Sequence, residues 1–225
     1  MLGSKPKAKY LYKMKSQEIP GIEELKNQLL YKLEIVLKHD EILFFVLEWL
    51  KKKSWFILLF FTLNVVFAAA WIFNTALVIL WGNSGIGFQT LIFVTACLFF
   101  FAFLIPVHET IHLLSMKLLG AQNTFLKPNL KHFMVYAGSH LHVCNSKQYL
   151  FIALLPFFIL TFLLGILPFF LNSEIWPAIW FLLFLHTNGC AGDLAIVNYF
   201  YFNRDKTIYS YDNQDLKESY FFSKR

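Results

Sequence analysis

The sequence predicts an all-α integral membrane fold: four transmembrane helices, N-terminal amphipathic helices and a cytoplasmic loop with a short β-hairpin. Two observations carry this prediction. Hydrophobic residues make up 57% of the 225 residues and charged residues only 15%, whereas soluble domains carry about 25% charged residues. Predominantly apolar stretches also recur four times after residue 54, and each is long enough to cross a bilayer.

Short breaks separate the four predicted spans. Residues 82–87 turn the chain after the first span, and Pro106 is expected to kink the second. The second span is longer than a bilayer requires, so we expect its C-terminal end to reach the membrane boundary. The predicted spans cover residues 55–81, 88–119, 149–171 and 177–202.

The segment before the first span is basic and then amphipathic. Residues 1–18 carry five lysines, which is typical of a tail near anionic lipid headgroups. Over residues 22–36 apolar side chains recur at helical spacing, so we expect an amphipathic helix on the membrane surface. A second short helix is expected over residues 41–52. The apolar positions of the first helix are Ile22, Leu25, Leu29, Leu33 and Val36.

On this basis the chain divides into three parts. Residues 1–53 are the cytoplasmic tail and amphipathic helices, residues 54–202 the four-helix membrane domain, and residues 203–225 a cytoplasmic C-terminal tail. Within the polar loop 120–148, residues 132–138 predict a short strand. An exposed edge of this strand could hold an extended peptide by strand addition.

The basic residues predict the orientation in the membrane. Eleven lysines precede the first span, four lie from the C-terminal end of the second span to the start of the third, and five Lys or Arg follow the fourth, while residues 82–87 and 172–176 contain none. The positive-inside rule then places both termini and the 120–148 loop in the cytoplasm, with the protein in the cell membrane. Lipid therefore explains the net charge of +6, and we expect no nucleic-acid partner.

The second predicted span carries the sequence His108-Glu109-Thr110-Ile111-His112. On a helix, two imidazoles four residues apart lie on one face and can reach one ion. The H-E-x-x-H pattern provides two zinc ligands and a glutamate placed to act as general base. Ionisable groups this close to hydrocarbon are costly, which favours a functional role over chance.

A catalytic zinc usually has a third protein ligand, and Asp193 is the best candidate. It is the only Asp or Glu in the fourth span, and positive-inside topology puts it at the depth of the two histidines. His186, seven residues earlier, is a second-shell partner or an alternative ligand. Asn188 is a candidate donor to an oxyanion. The loop histidines His140 and His142 remain alternative ligands.

These residues resemble a family of small multi-pass proteins described as putative zincin peptidases, similar in plan to the site-2 proteases. The likeness covers roughly residues 90–200: the HETIH motif, the stretch from Tyr149 to Pro156, and an N-x-x-x-G-D-L sequence ending at Leu194. It implies zinc bound by His108, His112 and Asp193, with Glu109 as the base. Site-2 proteases place their aspartate before a glycine, whereas here Gly192 precedes Asp193.

We therefore expect a membrane-embedded metallopeptidase that uses one zinc ion and acts on a membrane protein or peptide near the cytoplasmic face. The main alternative is a divalent-metal transporter or sensor with the same histidines and aspartate, for which Asn64 and Asn74 are the other polar candidates. A haem protein with His112 and His186 as axial ligands is a third hypothesis. The three cysteines show no CxxC spacing, so neither a disulfide framework nor a cysteine-based zinc site is expected. The sequence leaves the oligomeric state open.

Overall fold

The computed structural model of the chain describes residues 19–81, 86–129 and 134–225. The predicted basic tail at 1–18, most of the predicted turn at 82–87 and the first two residues of the predicted strand at 132–138 lie outside these ranges. The helices are α1 (Ile22–Leu25), α2 (Ile42–Lys51), α3 (Trp55–Trp81), α4 (Ile86–Leu118), α5 (Ser146–Ile166), α6 (Trp176–Gly189) and α7 (Ala191–Phe202). The strands are β1 (Tyr31–Lys38), β2 (Thr124–Asn129), β3 (Met134–Ser139), β4 (Cys144–Asn145), β5 (Ile208–Asn213) and β6 (Glu218–Lys224).

Within the described residues, three helices are long and apolar enough to cross a membrane. These are Trp55–Leu80, Ala96–Leu118 and Ser146–Phe169, which agree with the first three predicted spans. The third continues past α5 through a short 3-10 turn at Leu167–Phe169. Each of these helices carries apolar side chains on all of its faces and has no separate polar face, as expected for a membrane span.

The fourth predicted span is not one straight helix. Its two halves, α6 and α7, meet at an angle of 47° and count as one span at most. Cys190 leaves the helical conformation at the junction (ψ 6°), and its N–H is shared between the carbonyls of His186 (3.1 Å) and Thr187 (3.2 Å). Glycines at 189 and 192 flank the break, and glycine is a poor helix former.

The prediction of an all-α fold is wrong, because the described residues also form two antiparallel sheets. A four-stranded sheet has the order β1-β6-β5-β4, and β2 pairs separately with β3. The β2–β3 pair confirms the predicted hairpin, with Phe125 opposite Gly138 and Lys127 opposite Tyr136. The correction therefore concerns the larger sheet, which the hydropathy pattern did not reveal, and the count of four transmembrane helices, because only three unbroken helices of the described residues are candidate spans.

The predicted helix over 22–36 is the clearest local error. Only the single turn α1 is helical, and the chain then enters β1, which pairs with β6 from Tyr31↔Lys224 to Lys38↔Glu218. Tyr31 and Leu37 are buried, whereas Leu33 is 46% exposed. The partner strand comes from the far end of the chain, so no local pattern could identify it. The predicted helix over 41–52 is confirmed as α2.

A polar cluster ties this sheet together. The carboxylate of Glu34 on β1 accepts hydrogen bonds from the Ser223 hydroxyl (2.8 Å) and the Lys206 ammonium (3.1 Å). The bond from Ser223 is the main cause that lowers the pKa of Glu34, and Lys206 and Lys32 lower it further. Residues 208–224, predicted as part of a tail, thus form an ordered hairpin against β1. No observation tests the three-part division at residues 53 and 202, which stays a prediction.

Helix α7 packs against α2 and, through Tyr199, against the larger sheet, and this packing fixes its position. Trp49 of α2 meets Tyr199 of α7 edge-on at 5.0 Å, and Phe221 of β6 packs on the same tyrosine. The side-chain amide of Asn198 donates to the carbonyls of Trp49 (2.7 Å) and Lys52 (2.8 Å) and so caps the end of α2. The first turn of α7, which carries Asp193, is held in place by this core.

Candidate metal centre

Two helices meet at the predicted metal site. His108 and His112 lie one turn apart in the last third of α4, and both are buried. Their rings are 4.7 Å apart and face the first turn of α7, where the chain restarts after the Cys190 break. The break therefore places a carboxylate, Asp193, at the N-terminal end of a helix, where the helix dipole favours a negative charge.

Donor atoms of three side chains converge on one point. The Nε2 atoms of His108 and His112 are 3.0 Å apart. One carboxylate oxygen of Asp193 lies 3.1 Å from the first nitrogen, and the other lies 3.3 Å from the second. Asp193 and the two histidines, which are 85 and 81 residues away along the chain, thus form one triangle of nitrogen and oxygen donors, in which the histidines are buried and the side chain of Asp193 is 21% exposed.

This triangle has the size that a zinc ion requires. Tetrahedral coordination with bonds of about 2.0–2.1 Å places neighbouring donor atoms roughly 3.3 Å apart. Two imidazoles and one carboxylate are also a ligand set found in catalytic zinc sites, where the fourth position stays open. The donors that this chain presents therefore fit the metal that its H-E-x-x-H motif predicts.

The tautomer of His112 supports the same conclusion. Its Nδ1 lies 2.9 Å from the carbonyl oxygen of Ile152 on α5, and a carbonyl can only accept a hydrogen bond. Nδ1 therefore carries the hydrogen, and in the neutral ring Nε2 presents its lone pair towards Asp193 and His108. A metal-binding histidine typically donates its other ring N–H to a carbonyl or carboxylate in this way.

Glu109 lies beside the triangle and is held by the hairpin. One of its carboxylate oxygens, Oε2, accepts the backbone N–H of Ala137 on β3 at 2.7 Å. A carboxylate oxygen of Glu109 also lies within 4.8 Å of one ring nitrogen of His108 and one of His112. The glutamate is therefore close enough to share a water molecule with the centre without being one of its three converging donors.

His186 lies behind His108 rather than in the triangle. The two ring centroids are 5.7 Å apart, and the ring of Phe157 stacks on that of His186 at 6.4 Å. His108, His186 and Cys190 have donor atoms within 4.8 Å of one another, which makes them a second candidate group for a metal. The sulfur of Cys190 is almost equally far from both ring nitrogens of His186 (3.9 and 3.8 Å), so it faces the ring rather than one lone pair.

The structure places the other predicted polar residues away from the converging donors. The Asn188 amide donates to the side-chain oxygen of Asn64 (2.6 Å), which also accepts from the Thr187 hydroxyl (2.9 Å). Asn74, noted above for a transport path, donates to the carbonyl of Ala70 in its own helix. These amides are used in helix packing between α3 and α6 or within α3.

The loop histidines His140 and His142 make other contacts, and the spacing of the two site histidines does not fit a haem. His140 accepts the backbone N–H of Gln214 and lies 3.7 Å from Asp215, at the end of the larger sheet. His142 has a buried Nε2 without a hydrogen-bond partner. The contact of 3.0 Å between the Nε2 atoms of His108 and His112 leaves no room for a porphyrin on His112.

Sequence reasoning missed the backbone groups of the site. The carbonyl of Ile152 and the N–H of Ala137 are backbone groups, which no residue type identifies in a sequence. The one local signal is Pro156, four residues after Ile152, because proline cannot donate the helical hydrogen bond to that carbonyl. Cys190 was excluded as a zinc ligand on spacing but marks the helix break and lies 4.0 Å from Nδ1 of His108.

Comparison with known families bears on this centre. A family model matches residues 101–208, which run from within α4 to the first residue of β5. The family is described as "Putative zincin peptidase". Comparison with curated proteins and with solved structures gives no match. The family match confirms the resemblance to zincin peptidases over residues 101–208 and supports a zinc-dependent metallopeptidase, whereas the multi-pass membrane plan stays a prediction. The likeness to site-2 proteases stays a prediction.

Proposed function

We propose that this protein is a membrane-embedded zinc metallopeptidase that hydrolyses peptide bonds of a membrane-associated protein or peptide near the cytoplasmic face. One observation carries the proposal: two histidines of α4 and Asp193 of α7 direct their donor atoms to one point beside Glu109. The family match over residues 101–208 supports the same chemistry.

Each residue of the centre has a distinct role in this proposal. His108, His112 and Asp193 would hold the ion. Zinc would supply Lewis acidity, lowering the pKa of a coordinated water to about 7 and polarising the scissile carbonyl. Glu109 takes the proton of the attacking water and passes it to the leaving amine, which is the work of a general acid–base residue.

The hairpin supports Glu109 and offers a place for the substrate. The N–H of Ala137 fixes one carboxylate oxygen of Glu109, so the other is free to accept a proton. The N–H of Ala137 points towards α4 and away from β2, so this edge of β3 is not paired in the hairpin. An extended segment of substrate would add to this edge. A transmembrane substrate is helical and would have to unwind first.

Exposed apolar side chains support embedding in a bilayer. Phe99 and Phe103 on α4 are 73% and 65% exposed, and Phe158 and Phe162 on α5 are 61% and 67% exposed. A monomer in water rarely exposes so large an apolar surface. With the distribution of lysines, this favours a multi-pass protein of the cell membrane with both termini in the cytoplasm and lipid as its surroundings.

Comparison of new N termini tests the proposal without knowledge of the substrate. Membranes from cells that express the wild-type protein or Glu109→Gln would be labelled at free N termini and analysed by mass spectrometry. We expect a set of termini that only the wild type produces, with equal zinc content in both proteins. Identical sets of termini from two zinc-loaded proteins would refute the mechanism.

A further inference from the structure

Helix α5 contains a proline at a position where a helix normally forms a hydrogen bond. Pro156 is buried in the interior of Ser146–Ile166. Proline has no backbone N–H, and in a regular helix the N–H of residue 156 would bond to the carbonyl of residue 152. The carbonyl of Ile152 therefore lacks its usual helical donor.

That same carbonyl accepts the hydrogen bond that orients a metal-site histidine. Nδ1 of His112 lies 2.9 Å from the oxygen of Ile152, and both residues are buried. Buried carbonyl groups are almost always paired, so a carbonyl freed by proline needs another donor. The imidazole of His112 provides it, and the bond fixes which ring nitrogen keeps its lone pair for the metal.

We propose that Pro156 is a positioning residue for the metal centre. Because Pro156 has no backbone N–H, the carbonyl of Ile152 stays available to accept the N–H of His112. That bond holds the ring with Nε2 towards Asp193. The inference rests on the zinc centre proposed above, and it concerns how tightly and in which orientation the ligand is held. If Pro156 only bends α5 for packing, a substitution that restores the backbone N–H would leave zinc affinity unchanged.

Zinc affinity of purified full-length protein in detergent separates these two roles. Pro156→Ala adds an N–H that competes for the carbonyl of Ile152, and partners of metal ligands typically contribute 10- to 100-fold in affinity. We expect the zinc dissociation constant to rise about tenfold or more, measured by competition with a chromogenic chelator. Helix α5 should not unfold, because alanine is the better helix former.

Two matched variants complete the experiment. Pro168→Ala adds an N–H to the 3-10 turn after α5, where Leu164 already accepts the N–H of Leu167, so we expect zinc affinity within twofold of the wild type. Pro156→lactic acid, introduced by nonsense suppression, has the side chain of alanine but an ester oxygen in place of N–H. We expect this variant to bind zinc like the wild type.

The outcomes distinguish the inference from the function on which it rests. Wild-type affinity in Pro156→Ala would overturn the inference, and so would equal losses in Pro156→Ala and Pro156→lactic acid, because the ring and not the missing donor would then matter. If the wild-type protein bound no zinc at all, the proposed metallopeptidase function itself would fail, and the inference with it.

Discussion

Replacement of Asp193 tests whether α7 supplies the third donor of the centre. Each oxygen of this carboxylate faces a different histidine, at 3.1 and 3.3 Å. Asp193→Ala removes both oxygens and leaves two imidazoles, which are too few for a stable zinc site. We expect the variant to fold, since the core around α7 is formed by other residues, and to bind zinc much more weakly.

The size of the effect follows from the number of ligands. Structural zinc sites with four protein ligands bind with about 10–16 kcal/mol, or roughly 3 kcal/mol per ligand. Since every 1.4 kcal/mol is about tenfold, loss of one ligand should weaken binding about 100-fold or more. Asp193→Asn, which keeps one uncharged oxygen donor, should lie between the wild type and Asp193→Ala.

The assay is competition for zinc with a chromogenic chelator, using purified protein in detergent. Asp205→Asn is the matched control, because Asp205 follows α7 and is exposed. We expect Asp205→Asn to bind zinc like the wild type. Zinc affinity of Asp193→Ala within twofold of the wild-type value would refute the assignment of Asp193 and leave the two histidines without their proposed partner.

Three further changes have definite expected results. Glu109→Gln should keep its zinc, because the glutamine oxygen can still accept the hairpin N–H, while peptide cleavage falls about 10²- to 10⁴-fold. Glu34→Gln should make thermal stability less dependent on pH in the acid range. The folded-state pKa of Glu34 is lowered, so its carboxylate stabilises the fold above the unfolded pKa of about 4.3. This stabilisation is lost as the pH falls through the folded-state pKa. Asn64→Leu should lower the unfolding free energy by only about 1 kcal/mol, since Thr187 and Asn188 keep their bonds to backbone carbonyls.

Each of these results has a clear counter-result. Glu109→Gln that cleaves at the wild-type rate would remove the general base from the mechanism. A thermal unfolding curve for Glu34→Gln with the same loss between pH 6 and pH 3 as the wild type would show that the carboxylate is not a stabilising acceptor in the sheet. A much larger loss for Asn64→Leu would mean that the contact between α3 and α6 depends on that amide.

The sequence predicted the elements whose signal is local. Long apolar stretches identified α3, α4 and α5 because each span satisfies its own backbone hydrogen bonds and needs no distant partner. His108, Glu109 and His112 were predicted as site residues for the same reason, since helical spacing alone places them together. Asp193 was predicted as their partner because an isolated carboxylate in an apolar span is costly and needs a partner.

The parts that the sequence could not predict depend on distant or backbone groups. Strand β1 has apolar residues at helical spacing, and only its pairing with β6, near the other end of the chain, makes it a strand. The break at Cys190 has glycines nearby but no proline to mark it. Ile152 and Ala137 act through main-chain atoms, whose role follows from their position in the fold and not from their side chains.

X-ray absorption at the zinc edge, on wild-type protein loaded with one equivalent of zinc, tests directly whether one zinc ion is held by two imidazoles and a carboxylate. We predict nitrogen and oxygen neighbours at about 2.0–2.1 Å, with outer-shell scattering from two imidazole rings. A sulfur neighbour at about 2.3 Å would contradict the account, because it would place the metal at Cys190 instead of Asp193.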